Sequence, residues 1–363
     1  MLPFVTRNQA RREGGLSYDR GDAKIDMKTR TPMILLWLAL LCPVLVLAQS
    51  PGGAHRLEAP AVPDTLRLAF VSDTQSPLFP ETIALPRNNN ETARGMIFDS
   101  IVQFRPRAVF HMGDLVALGF HEPSWEAIDV FLEQLRVRGI GFYPILGNHE
   151  LMLLWRAGQT NFQDRFPYAS RTGYLRRAGP IALVLLNSNL NMLTMDEGEK
   201  QLAWYRRTLR DLDSDSTVGL VIVGCHHSPY TNSMIVWPSK DAQDMFVPPF
   251  LESAKTRIFF SGHAHAAEHF RIDQKDFLVI GGGGGLQQPL LTGSESRWPD
   301  HFPQKTEKRM FHYVEGLVTE SSASFTVRML KDDFSGFYDA TTLTYDFAPV
   351  RSGRTGTNPH PQE

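Results

Sequence analysis

A chain of 363 residues has room for one large domain or two ordinary ones, and its 42% hydrophobic and 21% charged residues are normal for a globular protein with a substantial core. The formal net charge of -2 provides neither the basic excess of a nucleic-acid track nor the acidic run of a disordered tail. In chain order, the first element is an apolar run, Ile34 to Ala48, broken only by Pro43 and preceded by Lys28 and Arg30. Val46 and Ala48 place small residues before a cleavage point at Gln49, and the run is shorter than the ~20 residues of a membrane span. It reads as a secretory signal, which implies a secreted or periplasmic protein; an uncleaved membrane anchor is the alternative. Met27 is a more conventional start than Met1. The expected division is an extension and signal over 1–48, a Pro/Gly-rich linker over 49–65, one domain over 66–350 and a disordered tail over 351–363. Of the two cysteines, Cys42 lies in the signal, so the mature chain keeps Cys225 alone and forms no internal disulfide.

Past the linker, five short apolar runs predict strands. They are Leu66 to Val71, Ala108 to Met112, Ile140 to Leu146, Leu220 to Cys225 and Arg257 to Ser261. Each ends in polar residues able to hold a metal. Between them, apolar stripes at helical spacing predict helices through Ala93, Ile97, Ile101 and Phe104; through Trp125, Ile128, Leu132 and Leu135; and through Leu202, Tyr205, Leu209 and Leu212. Ser124 is the expected N-cap of the second helix and Gly139 its stop. Phe325 to Leu330 reads as a later strand. Strands alternating with helices predict an α/β fold with parallel strands at its centre, where ligands bind beyond the carboxyl ends of the strands.

The residues at those strand ends are Asp73, Gln75, Asp114, Asn148, His226 or His227, His263 and His265. Carboxylates, imidazoles and amide oxygens suit divalent metals such as Zn, Mn, Fe and Mg. Gly-Asp, Asn-His and His-x-His are each common alone; their joint order at five strand ends is the signal.

The series Asp73-x-Gln75, Gly113-Asp114, Gly147-Asn148-His149-Glu150, His227-Ser228-Pro229 and Gly262-His263-x-His265 resembles the five blocks of the calcineurin-like metallophosphoesterases, from about Leu66 to Gly285. His227 to Tyr230, Leu186 to Ser188, Gln201-x-x-Trp204 and Gly262 to Ala266 are similar to the purple-acid-phosphatase side of that superfamily. The resemblance implies a β-sandwich flanked by helices in αββα layers, with a dimetal site at the strand ends. It implies hydrolysis of a small phosphomonoester or phosphodiester by a metal-bound hydroxide, with two divalent metal ions as cofactors. By the same resemblance, Asp114 bridges the metals. Asp73 and His265 complete one site with Gln75 as a weak oxygen ligand, and Asn148, His227 and His263 hold the other. His149 faces the substrate and protonates the leaving oxygen. His227 is the ligand by its spacing from Pro229, and strand alternation should turn His226 away. Two positions depart from the pattern: Gln75 stands where histidine is usual, and Ala117 where purple acid phosphatases carry tyrosine.

Other features read as structural. Gly281 to Gly285 lacks the pattern of a dinucleotide loop and is expected to let the backbone pass close to the site. Asn90-Glu91-Thr92 is a glycosylation sequon that matters only in a eukaryotic secretory route. His121, Glu268 and His269 lie beside motif residues, and Cys225 reads as a buried, inert thiol. Specificity is expected from the loops Pro77 to Asn90 and Trp155 to Gly173. Two function classes remain: an active phosphoesterase, or a metal-stabilised scaffold without turnover, which the substitution at Gln75 raises. Retention of His149 favours the enzyme.

Overall fold

The computed structural model describes residues 65–349. The signal, nearly all of the linker and the tail lie outside the described residues. The first half of the domain runs β1 (Leu66–Val71), α1 (Glu81–Ala84), α2 (Asn90–Phe104), β2 (Ala108–His111), α3 (Glu126–Arg136), β3 (Gly141–Pro144), α4 (Asn148–Leu151), α5 (Trp155–Arg165), β4 (Tyr174–Ala178) and β5 (Ile181–Leu185). The second half runs α6 (Met195–Ser214), β6 (Leu220–His227), α7 (Lys240–Met245), α8 (Val247–Glu252), β7 (Thr256–Gly262), β8 (Ala267–Ile272), β9 (Lys275–Ile280), β10 (His312–Val318), β11 (Ser322–Leu330) and β12 (Phe337–Asp346). All five apolar runs are strands, and the late run is part of β11.

The strands form two six-stranded mixed sheets. One has the order β12-β11-β10-β1-β2-β3, the other β4-β5-β6-β7-β9-β8. β1, β2 and β3 are parallel, as are β5, β6, β7 and β9. Alternation along the strands divides the core. Ile181, Leu183 and Leu185 of β5, with Ile222, Ile258 and Phe260, join Phe70 and Phe110 in the core between the sheets. Their neighbours Ala182, Val184, Val221, Val223 and Phe259 face Tyr205 and Leu209 of α6 and Phe250 of α8. The Phe70 and Phe260 rings meet across the sheets at 4.6 Å. On the other flank, Ala93, Ile97 and Ile101 of α2 and Ile128, Phe131 and Leu135 of α3 are buried against the first sheet, with Phe98 stacked on Phe131 at 4.0 Å. Each such buried Val, Ile, Leu or Phe side chain contributes about 1.5–3 kcal/mol of transfer free energy. The result is the four-layered αββα arrangement. No helix of the described residues is long and apolar enough to cross a membrane.

One local expectation fails. Ser124 is not an N-cap: Pro123 opens a 3₁₀ turn over Glu122–Trp125, α3 begins at Glu126 without a side-chain cap, and Ser124 Oγ pairs with His121 Nδ1 at 3.1 Å. Pro123 lacks an N–H and has its φ preset, which favours that tight start. The sequon asparagine, Asn90, is buried, and its Nδ2 donates to the carbonyls of Gly284 and Gly285 at 2.9 Å each, so the folded chain does not present it for glycosylation. Gly139 does stop α3, at φ 66°.

Candidate metal centre

The carboxyl ends of β1, β2, β3, β6 and β7 bring both sheets to one site. Asp73, Asp114 and His263 all stand in the left-handed backbone region, with φ of 59°, 55° and 66°. That conformation costs a non-glycine residue about 1–2 kcal/mol and persists where surrounding contacts impose it. Here the contacts are explicit. Both Asp73 carboxylate oxygens accept from His263 N at 3.0 Å, and Asp114 Oδ1 accepts from His149 N at 2.8 Å.

The side chains converge. His226 Nε2 lies 3.2 Å from Asp114 Oδ2 and 3.0 Å from Asn148 Oδ1. His265 Nε2 lies 3.4 Å from Asp73 Oδ1. Donor atoms of Asp73, Asp114 and His226 fall within 4.8 Å of one another, and so do those of His226, His227 and His263. Gln75 bridges the loops: in the amide orientation that satisfies both ends, its NH₂ donates to the carbonyls of Asp73 (3.2 Å) and Asp114 (3.1 Å), and its Oε1 accepts from His265 Nε2 (3.1 Å). All eight sequence-derived candidates thus belong to one constellation.

His226 was expected to turn away and does not. Between Gly224 and His227 the register of β6 against β7 shifts, so simple alternation is lost there. The rings of His226 and His227 both reach His263, with centroids at 5.2 and 4.6 Å.

Four rings are oriented from behind through Nδ1. His226 donates to Met112 O (2.9 Å), His265 to Leu286 O (2.8 Å) and His149 to Ala117 O (2.9 Å), while His227 Nδ1 meets Ser188 Oγ (2.9 Å). Each pairing turns Nε2 toward the site, where that of His265 meets the Gln75 amide oxygen, and such support is usual behind a metal-binding imidazole. Gln201 sets Ser188 indirectly, since its amide brackets the backbone N and O of Asn187 at 2.9 Å each. The ring of His263 makes no hydrogen bond among the described residues. Burial and the neighbouring His226 hold His227 down at about 3, and burial with His227 and His226 puts His263 well below its usual value. Both are neutral imidazoles with lone pairs free, the form a metal requires. Burial would raise the Asp114 carboxyl, but His226 and His149 hold it well below the carboxylate range. Burial would lower His226 and His265, but Asp114 raises the first to about 9 and Asp73 raises the second, so a divalent cation would displace a proton from each. The carboxylate and imidazole donor types together fit divalent cations.

Sequence reasoning assigned no role to Glu150 or Glu81. The Glu150 carboxylate accepts from the backbone N–H of Asp114, Leu115, Val116 and Gly147 at 2.7–3.2 Å, stapling the second-block loop to the third. Its place in the Gly-Asn-His-Glu block was the available signal. Glu81 Oε1 lies 3.7 Å from His149 Nε2, and nothing in its local sequence announces this. A Cβ on Gly147 would overlap Asp114 Oδ1, and one on Gly285 would sit 2.5 Å from the His265 ring, so the glycine run does pass close to the site. His121, Glu268 and His269 have structural partners in Ser124, Thr231 and Asp276, and Cys225 is buried, which raises its thiol.

The model of the calcineurin-like phosphoesterase domain matches residues 66–267. The chain belongs to this family. As a calcineurin-like phosphoesterase, it sits among hydrolases of phosphoric ester bonds, and its two helix-flanked mixed sheets are the fold expected of them. No curated protein matches its sequence significantly. Among solved structures it is similar to a purple acid phosphatase from yellow lupin, Lupinus luteus, at 15% identity and TM-score 0.53, covering 79% of this chain and 55% of that one. It is also similar to GAP50 of Plasmodium, described as the anchor in the inner membrane complex, at 12% identity and TM-score 0.56, covering 80% of this chain and 91% of that one. The chain spans about half the length of the lupin enzyme, and at these identities the likeness is one of fold.

Proposed function

We propose that this phosphoesterase hydrolyses phosphomonoesters or phosphodiesters at a dinuclear metal centre. The observation that carries the reading is the convergence of carboxylate and free imidazole donors from both sheets beside His149, whose Nε2 lies 3.9 Å from Asp114 Oδ2. Asp114 would bridge two divalent ions of the Zn, Mn, Fe or Mg class. Asp73 and His265, with the Gln75 amide oxygen, would hold one; Asn148, His227 and His263 would hold the other. His226 enters the set beside His227. Bound ions supply charge neutralisation on the phosphoryl group and a nucleophile available near neutral pH. The chain supplies the rest: His149, pinned at Nδ1 by Ala117, presents Nε2 to the leaving oxygen as general acid.

Metal analysis and turnover on one variant series test this. Asp114→Asn should lose metal and nearly all activity, because the carboxylate that neutralises two dications is gone. His226→Ala and His227→Ala should each lower metal content. Full occupancy with wild-type turnover in Asp114→Asn would sink the two-metal reading. A scaffold without turnover is the second reading, favoured by the likeness to an anchor protein and by Gln75; metal binding with no ester hydrolysis would establish it.

We also propose export, supported by the apolar run and cleavage point at Ala48. N-terminal sequencing of the exported protein should find a start near Gln49. A cytoplasmic protein retaining Met1 would count decisively against it.

A further inference from the structure

The segment from Pro77 to Asn90 is fastened beside the centre from both of its ends. Arg94 Nη1 donates to Thr74 O at 3.1 Å and to Ser76 Oγ at 2.8 Å, and Arg87 Nη2 reaches back to Pro77 O at 3.5 Å. Asn88 Nδ2 donates to Gln287 Oε1 at 2.8 Å, and Asn90 holds the carbonyls of Gly284 and Gly285 next to the His265 ring. Within this segment Glu81 is oriented by its own turn. Its Oε2 accepts from Leu78 N at 2.6 Å, and its Oε1 is the oxygen that faces His149 Nε2, at 3.7 Å.

That spacing is too long for a direct hydrogen bond and leaves room for a third group to meet both atoms. The Glu81 side chain is 32% exposed and that of His149 7%, so the carboxylate is the more open of the two. No Lys or Arg among the described residues forms an ion pair with Glu81. A leaving oxygen at His149 Nε2 therefore stands beside a carboxylate whose charge no cationic side chain offsets. An ammonium two carbons from that oxygen can reach Oε1 while the oxygen keeps its contact with His149, and an anion in the same place is repelled. We infer that Glu81 is a specificity-determining residue and that the preferred substrates are phosphate esters of amino alcohols, with the ammonium pairing to Glu81 Oε1. The inference rests on the phosphoesterase reading above, with His149 at the leaving oxygen, and names the leaving-group class. In the reaction, a water oxygen bonds to phosphorus and the P–O bond to the amino alcohol breaks. The proton on His149 Nε2 ends on the alcohol oxygen, the proton that water gives up restores it, and the ammonium keeps its own.

The test measures kcat/KM of the metal-loaded protein on phosphoethanolamine, ethyl phosphate and phosphoglycolate, for wild type and Glu81→Gln. Glutamine keeps an oxygen for Leu78 N and removes the charge. Each ester is read as variant over wild type, so the intrinsic reactivities of the three cancel. Relative to ethyl phosphate, the variant should lose about tenfold or more on phosphoethanolamine, the worth of a hydrogen bond to a charged group, and should gain on phosphoglycolate. Glu81→Lys should invert the order of the two charged esters. An equal change on all three esters overturns the inference and makes Glu81 a support of its own turn or of His149. Loss of metal from Glu81→Gln also overturns it, because the carboxylate would then belong with the metal ligands. Hydrolysis with unchanged ratios defeats this inference alone, whereas no hydrolysis of any ester by the wild type defeats the phosphoesterase reading with it.

Discussion

At the scale of single residues, His149 is the position whose role separates chemistry from metal holding. Its backbone N–H serves Asp114 and its Nδ1 is committed to Ala117, so the ring is fixed without a metal ligand. General acid catalysis contributes about 10²–10⁴-fold, and His149→Ala should lower kcat by that factor with metal content near normal. The loss should shrink for esters with good leaving groups, which need little protonation. Loss of the metal in this variant would show that His149 is a ligand or its support instead. Gln75 was legible as a departure from a motif, but its place as a bridge between the Asp73 and Asp114 loops was not. That bridge depends on where two distant backbone carbonyls end up.

At the scale of elements, helical spacing found the buried faces of α2, α3 and α6, while period-two alternation was used only to set His226 against His227. It failed at the end of β6, because a register shift depends on the neighbouring strand and leaves no mark in local hydrophobicity. β8 raises a different question, since it buries a carboxyl. Burial pushes Glu268 from 4.5 up to about 7, against the hydrogen bonds it accepts from Thr231 and Asn232. The folded protein then keeps a proton that the unfolded chain releases above 4.5. The associated stability is complete below pH 4.5 and is lost as pH rises through 7. Melting temperatures at about pH 5 and about pH 8 should therefore differ by a few degrees more in wild type than in Glu268→Gln. Parallel behaviour of the two proteins would mean that Glu268 is ionised in the fold throughout.

At the scale of the whole molecule, the decisive fact is that two sheets deliver their strand ends to one place. The sequence by itself determined the strand-and-helix alternation, the five polar strand ends and the family, because these are written in local periodicity and in short motifs. It also determined that Gly281 to Gly285 had to be small, although not what they pass. Only the tertiary structure decided that His226 joins His227 at the centre and that Glu150 staples two loops through four backbone N–H groups. It alone brought Glu81 beside His149. The physical reason is common to all of these. Periodicity reports which face of an element is buried, whereas contacts between residues far apart in the chain depend on sheet order, register and loop path, which no single segment encodes.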